Sequence, residues 1–300
     1  MYDIIIIGAG PAGLTAAIYA SRAGKKILVL ESSSYGGGII NTLDIENYPG
    51  NMHISGFDFA SNLYKQAKEL GAIIKFEKAI AIKNLKLKKE VITNKDKYST
   101  KAIIIATGLK TRKLGLEHEE ELIGKGISYC ATCDGNFYKN KITMVVGGGN
   151  TALEDALYLA SIAKKVYLVH RRDEFRADMK TIDELKKKKN VEFILNSNVT
   201  KLIMDERLKE VEIKNNDGKN TYVSINGLFV AIGKDPVNDF YSKIIKLDKN
   251  GYVASSENCH TNLTGIFVAG DIRKKELRQL VTATSDGAIA ATEAIKYLNN

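Results

Sequence analysis

The sequence predicts an α/β fold built on two copies of a strand–turn–helix–strand unit, and three observations predict it. First, "YDIIIIGAGPAGLTAAIYASRAGKKILVLE" runs from an apolar stretch through clustered glycines into a small-residue helical segment and back to an apolar stretch. Second, "KITMVVGGGNTALEDALYLASIAKKVYLVHRR" repeats that order in the middle of the chain. In both, the hydrophobic period changes from continuous to helical and back, as a βαβ unit requires. Third, 25 glycines stand against 3 prolines in 300 residues, which suits tight turns better than disorder.

In the first unit, Gly8, Gly10 and Gly13 hold the GxGxxG spacing between strand and helix. The first glycine permits the sharp turn, the second lets a pyrophosphate approach the backbone, and the third lets helix and strand pack closely. The phosphates would sit at a helix N-terminus, where unpaired N–H groups and the dipole favour anions. Glu31 closes the next strand, where a carboxylate binds both hydroxyls of an unphosphorylated ribose.

In the second unit, Gly147, Gly149 and Ala152 hold the GxGxxA spacing. His170, Arg171 and Arg172 occupy the position that Glu31 has in the first unit, and Arg176 follows a turn later. A carboxylate repels a 2′-phosphate, whereas an arginine fork binds one bidentately. The first unit is therefore expected to take an unphosphorylated adenosine, as in FAD or NAD, and the second NADP(H).

Three later apolar runs read as strands that end in glycine: "AIIIATG", "GLFVAIG" and "GIFVAGD". The last places Asp271 at a strand's C-terminal end, suited to a ribitol hydroxyl, and an amphipathic helix starts near Arg278 and Gln279.

With 44% hydrophobic residues, the chain can bury a substantial core and form two ordinary domains. Its formal net charge of +9 comes mostly from dispersed lysines, and the run Lys186–Lys189 reads as the solvated end of a helix. No aromatics interleave with that run as a single-strand groove would need, so no nucleic-acid partner is expected. No apolar stretch is long enough to span a bilayer, and the first residues read as a strand rather than a signal peptide. Three cysteines are too few for a disulfide-stapled secreted scaffold, so a cytoplasmic protein is expected. In that compartment the Cys130-x-x-Cys133 pair is a candidate for metal binding or for redox catalysis.

The order GAGPAG, ExxxxGGG, "ENYPG", "IIIATG", "CATCDG", "GGGNTALEDALYLA", "HRRDEFRA", "FVAIG" and "GIFVAGD…RQL" resembles low-molecular-weight thioredoxin reductases along nearly the whole chain. The pairing of "CATCDG" with "HRRDEFRA" is the most specific part. The resemblance implies two Rossmann-like domains: a discontinuous FAD domain, 1–112 and 241–300, and an inserted NADPH domain, 113–240, carrying the CxxC. It implies a homodimer that passes electrons from NADPH through FAD to the Cys130–Cys133 disulfide and on to oxidised thioredoxin.

Matched motif by motif, the FAD contacts would be Gly8, Gly10, Pro11, Ala12, Gly13, Glu31, Gly36 and Gly37, with Asn47, Thr107, Gly108, Asp271, Arg278 and Gln279. NADPH would use Gly149, Asn150, Thr151, Ala152, His170, Arg171, Arg172 and Arg176. Cys133 would be the thiol nearest the flavin, Cys130 the interchange thiol, and Asp134 the acid that handles the proton. A zinc reading lacks ligands: beyond the pair only the adjacent Cys259 and His260 are candidates, so no metal is expected. Cys259 is expected to be an ordinary half-buried thiol.

The chain departs from the family pattern at Gly38, where Gln is common, at Lys234, where His is common, and at Leu277, where Tyr is common. The first removes one side-chain contact to FAD. Because nicotinamide and CxxC would share the inserted domain and both need the flavin, a rotation about linkers near Thr111–Leu114 and Pro236–Asp239 is expected.

Overall fold

The computed structural model describes residues 1–40, 42, 45–86 and 88–300. The chain begins with β1 (Tyr2–Ile7), α1 (Pro11–Arg22), β2 (Ile27–Glu31), α2 (Gly56–Glu69) and β3 (Ile73–Phe76). It continues with β4 (Ala79–Asn84), β5 (Lys89–Thr93), β6 (Lys97–Ile105), β7 (Leu109–Thr111), β8 (Ile127–Ser128) and the short α3 (Ala131–Asp134). Next come β9 (Ile142–Val146), α4 (Asn150–Ile162), β10 (Lys165–Val169), α5 (Met179–Lys186) and β11 (Val191–Ile194). The strands β12 (Ser197–Met204), β13 (Leu208–Asn215), β14 (Asn220–Ser224), β15 (Gly227–Val230), β16 (Lys234–Pro236) and β17 (Ile266–Val268) precede the final helix α6 (Leu280–Asn299). These elements form two compact units, Met1–Lys110 with Asp235–Asn300, and Thr111–Lys234.

The first unit is built on a sheet in the order β3-β2-β1-β6-β5-β4, with β17 also paired to β6. β3, β2, β1, β6 and β17 are parallel neighbours, whereas β4–β5–β6 is an antiparallel meander. Parallel strands are covered on both faces, which is why β1 reads as an unbroken apolar run. Ile4 and Ile6 enter one core with α1 and α6; Ile5 and Ile7 enter the other with Tyr241 and Ile245. Pro11 opens α1, where its missing N–H costs nothing. α6 crosses α1 in close contact: a Cβ on Gly287 would come within 2.2 Å of Ala12 O.

The second unit has a fully parallel sheet, β11-β10-β9-β15-β8, and a separate antiparallel sheet, β12-β13-β14. Val145, Leu168 and Phe229 face α4 and α5, while Met144, Val146 and Leu228 face β12 and β13. The antiparallel sheet shows its period in sequence, since Val211 and Ile213 are buried and alternate with more exposed neighbours.

β7 and β16 form a two-stranded sheet. Flanking bonds run from Arg112 N–H to Gly233 O at 3.0 Å and from Val237 N–H to Gly108 O at 3.3 Å. That register makes the pair antiparallel.

Candidate functional site

In the first unit, the residues expected to meet a dinucleotide gather at the C-terminal ends of adjacent parallel strands. Gly8, Gly10, Pro11, Ala12 and Gly13 follow β1, Glu31 ends β2, Thr107 and Gly108 follow β6, and Asp271 follows β17. Ligands of open α/β sheets bind at this end. Gly8 has φ +111°, and a Cβ there would stand 2.3 Å from Ala106 O. A Cβ on Gly13 would stand 1.9 Å from Gly8 O. Both glycines are required by the chain itself. Gly10 is different: its φ is −77° and an added Cβ would meet nothing nearer than Gly37 Cα at 3.7 Å. No strain or clash within the chain demands glycine at this position. The open space beside it fits a group that approaches the backbone, such as a pyrophosphate.

The surrounding contacts hold this cradle in shape. Glu31 is 9% exposed and accepts the N–H groups of Ala9 at 2.8 Å and Ser33 at 3.0 Å, with Ser32 Oγ at 3.1 Å. Oε1 takes two of these bonds and Oε2 one, so Oε2 retains a lone pair for a ribose hydroxyl. Gly36 N–H donates to Ala9 O at 2.9 Å, which brings Gly36 and Gly37 against the turn. Asn47 Nδ2 donates to Gln279 Oε1 at 3.3 Å, and Arg278 Nε donates to Asp271 O at 3.3 Å. Thr107 Oγ1 donates to Val237 O at 2.8 Å.

The turn before Asp271 rests on a buried ionic group that sequence reasoning does not reach. Asp286, 3% exposed, accepts Gly270 N–H at 3.0 Å, Arg273 Nη2 at 2.8 Å and Lys275 Nζ at 2.8 Å. Burial works to raise its pKa, but hydrogen bonds from Arg273 and Lys275 hold it below the usual carboxylate value. The available signal was an acid set among small residues on an apolar helix.

The second unit repeats the logic. Gly147 has φ +155°, and a Cβ there would stand 2.3 Å from Ala231 O and 2.7 Å from Ala152 Cβ. Gly149 has φ −102°, and its nearest neighbour to an added Cβ is Arg176 O at 3.8 Å. The second glycine again has open space beside it, which fits a group approaching the backbone. Asn150, Thr151 and Ala152 open α4. The arginine segment is tied to the glycine turn: Arg176 N–H donates to Gly148 O at 2.7 Å, and Asp178 N–H to Asn150 Oδ1 at 2.9 Å.

Arg171, Arg172 and Arg176 are exposed and form no ion pair among the described residues. His170 lies beneath the turn, where a Cβ on Gly148 would meet its ring at 2.2 Å, and it stacks on Phe175. Burial, with the three arginines adding, pushes its pKa below 6.5, so the ring is neutral at physiological pH. The three guanidiniums supply the positive charge, and this donor set fits a phosphorylated ribose.

Cys130 and Cys133 form a disulfide in this second unit. Cys130 precedes α3, and its Sγ accepts the Cys133 N–H at 3.3 Å. Ser128 Oγ donates to Asp134 Oδ2 at 2.6 Å and accepts the Cys130 N–H at 3.1 Å, so Asp134 is fastened to the dithiol segment. Ser128 was not anticipated; its serine at i−2 of a CxxC carries no motif of its own. Cys259, expected to be half-buried, is fully buried at 0% exposure, because its thiol packs in the α1–α6 core and points at Asp286 O. Burial pushes that thiol up to about 12. Among the described residues no group of three or more His, Cys, Asp or Glu side chains could hold a metal ion, and no helix is long and apolar enough to cross a membrane.

Residues 2–287 match the family model described as pyridine nucleotide-disulphide oxidoreductase. A thioredoxin reductase of Listeria innocua is 43% identical over 300 residues, covering 99% of this chain and 94% of its own length. A thioredoxin reductase of Mycoplasma genitalium is 42% identical, covering 97% and 93%. The crystal structure of Lactococcus lactis thioredoxin reductase superimposes with a TM-score of 0.86 at 40% identity, covering 100% of this chain and 99% of its own. Two Rossmann-like units, a CxxC disulfide in the second, and these likenesses along the whole chain place it together: the chain belongs to the pyridine nucleotide-disulphide oxidoreductase family, among the low-molecular-weight thioredoxin reductases.

Proposed function

We propose that the chain is an NADPH-dependent thioredoxin reductase that passes electrons through FAD to the Cys130–Cys133 disulfide and on to the disulfide of a thioredoxin. The observation that carries the reading is the placement of that disulfide on the same unit as a glycine turn ringed by three unpaired arginines. Relatives over 40% identical that bear this name support it.

FAD would bind the first unit, with Gly10 and Pro11 at its pyrophosphate, Glu31 at the ribose, and Asp271, Arg278 and Gln279 towards the flavin. NADPH would bind the second, with Gly149 to Ala152 at the pyrophosphate and Arg171, Arg172 and Arg176 at the 2′-phosphate. The flavin, when bound, supplies the conversion of a hydride into an electron pair that a disulfide accepts. Cys133 would face the flavin, and Cys130 would attack the partner's disulfide through a mixed disulfide. Asp134, held by Ser128, would give and take the proton at the departing sulfur. The nicotinamide and the dithiol would alternate at the flavin by rotation of the second unit, in a cytoplasmic homodimer.

Anaerobic NADPH titration of the purified protein tests the reading. The oxidised flavin band should bleach with NADPH, and reduced thioredoxin should accumulate on addition of its disulfide. A colourless protein that takes up no FAD, or one reduced by ferredoxin and not by NADPH, would overturn it.

A further inference from the structure

Lys275 stands where the fold alone gives little reason for a lysine. Its side chain is 5% exposed, and it lies against the first turn of α6, where a cation opposes the helix dipole. Asp286 does not need it for neutralisation. Arg273 already grips both oxygens of that carboxylate, through Nε at 3.1 Å and Nη2 at 2.8 Å, and Gly270 N–H donates to it at 3.0 Å. The Lys275 ammonium reaches further. It donates to Asp286 Oδ2 at 2.8 Å and to Thr282 Oγ1 at 3.3 Å, and it stands 3.9 Å from Asp271 Oδ1.

Two of those three contacts lead to residues expected to meet FAD. Asp271 is one of them. Thr282 Oγ1 leads to the other, since it accepts Gln279 N–H at 3.1 Å in the capping box that opens α6. A hydroxyl has two lone pairs and one proton. Here Gln279 N–H and Lys275 take the lone pairs, and the proton goes to Gln279 O at 3.0 Å or Leu277 O at 3.1 Å. Thr282 is thus fully engaged, and one buried ammonium joins the strand end at Asp271 to the capped start of α6.

We propose that Lys275 is a positioning residue of the flavin site, whose ammonium holds the Asp271 carboxylate and the Gln279 cap in one arrangement before FAD arrives. The proposal deepens the thioredoxin reductase reading and rests on its assignment of FAD to the first unit. Folding orders these groups, so that FAD binding does not bear the cost of fixing them. Without the ammonium, Asp271 would keep its carboxylate but lose the charge that draws it towards α6, and FAD would leave sooner.

The test measures FAD release from diluted holoprotein, followed by flavin fluorescence, in wild type, Lys275→Met, Asp271→Asn and the double variant. Lys275→Met should release FAD about tenfold faster than wild type, the lower end for a bond to a charged group. In the Asp271→Asn background the same change should add less than about threefold, because the two side chains act as one unit. A lysine that only supported the fold would speed release equally in both backgrounds, and that result overturns the proposal. A second measurement needs no variant to fold. Reductive methylation of the wild-type protein, read by mass spectrometry, should modify the exposed neighbour Lys274 and spare Lys275. Equal labelling of the two overturns the proposal. Failure of the parent reading looks different: the wild-type protein itself would be colourless, whereas this proposal fails in a yellow one.

Discussion

Gly10 and Gly37 face each other across the first glycine turn, with a Cβ on Gly10 reaching only to 3.7 Å of Gly37 Cα. Gly8, two residues earlier, has no such room. The two glycines should therefore fail differently. Gly10→Ala should fold and lose FAD, because its methyl group would stand where the pyrophosphate approaches. Gly8→Ala should be deeply destabilised, combining a positive φ that alone costs about 1–2 kcal/mol with a backbone clash. Circular dichroism and flavin absorbance of the purified variants separate the outcomes; a yellow Gly10→Ala protein would refute the assignment.

Arg171, Arg172 and Arg176 should decide between the two nicotinamide cofactors. Replacing Arg171 or Arg176 with Gln should raise KM for NADPH by roughly 10- to 100-fold, the worth of one charge-assisted hydrogen bond. KM for NADH should move far less, since that cofactor has no 2′-phosphate. Steady-state kinetics with both donors reads the ratio, and equal losses for both would remove the phosphate role.

Cys133→Ser should leave NADPH able to bleach the flavin while thioredoxin reduction stops. Cys130→Ser should also stop thioredoxin reduction, because the interchange sulfur is gone. Stopped-flow flavin absorbance and a thioredoxin assay, run side by side, distinguish these steps. Thioredoxin reduction that survives in the Cys133→Ser protein would overturn the role given to that sulfur.

The chain has three cysteines, and the buried Cys259 thiol is pushed up to about 12. The oxidised folded protein should yield no titratable thiol at neutral pH. Mild reduction should expose two, and the third should react only on unfolding. A thiol reagent followed by mass spectrometry counts them, and early labelling of Cys259 would contradict its burial.

Stability should depend on pH through Asp155. Its pKa rises from 3.8 to about 7 on folding, so the fold favours the protonated form. That contribution is fully present below the unfolded value and is lost as pH rises through about 7. Asp155→Asn, always neutral, should therefore be more stable than wild type above that pH, by up to roughly 4 kcal/mol. The gap should close in mild acid. Urea midpoints at about pH 4 and about pH 8 check the sign.

What the sequence reveals is set by how local the cause is. β1 and β9 are legible because parallel strands buried on both faces must be apolar throughout. Gly8 and Gly147 are legible because turn geometry fixes their type at a fixed spacing. The contact of Gly148 with His170 is not, since it joins a turn to a ring 22 residues away through packing alone. Asp286 and Asp155 are equally hidden: each is one acid on a helix, and only tertiary packing gives the first its ionic partners and the second its burial. The antiparallel sheet β12–β14 carries an alternating pattern, yet its place beneath the parallel sheet comes from the core formed by Met144, Val146 and Val211.

The antiparallel register of β7 with β16 has a consequence for the chain's architecture. Lys110 and Asp235 end the first unit's two segments on neighbouring strands, so the entire second unit is topologically the loop of one hairpin. A two-residue turn of the Asn-Gly kind could close that hairpin in its place. The gene would then encode the first unit as one continuous chain, and the excised segment, whose own ends are hydrogen-bonded to each other through Arg112 and Gly233, would carry the disulfide.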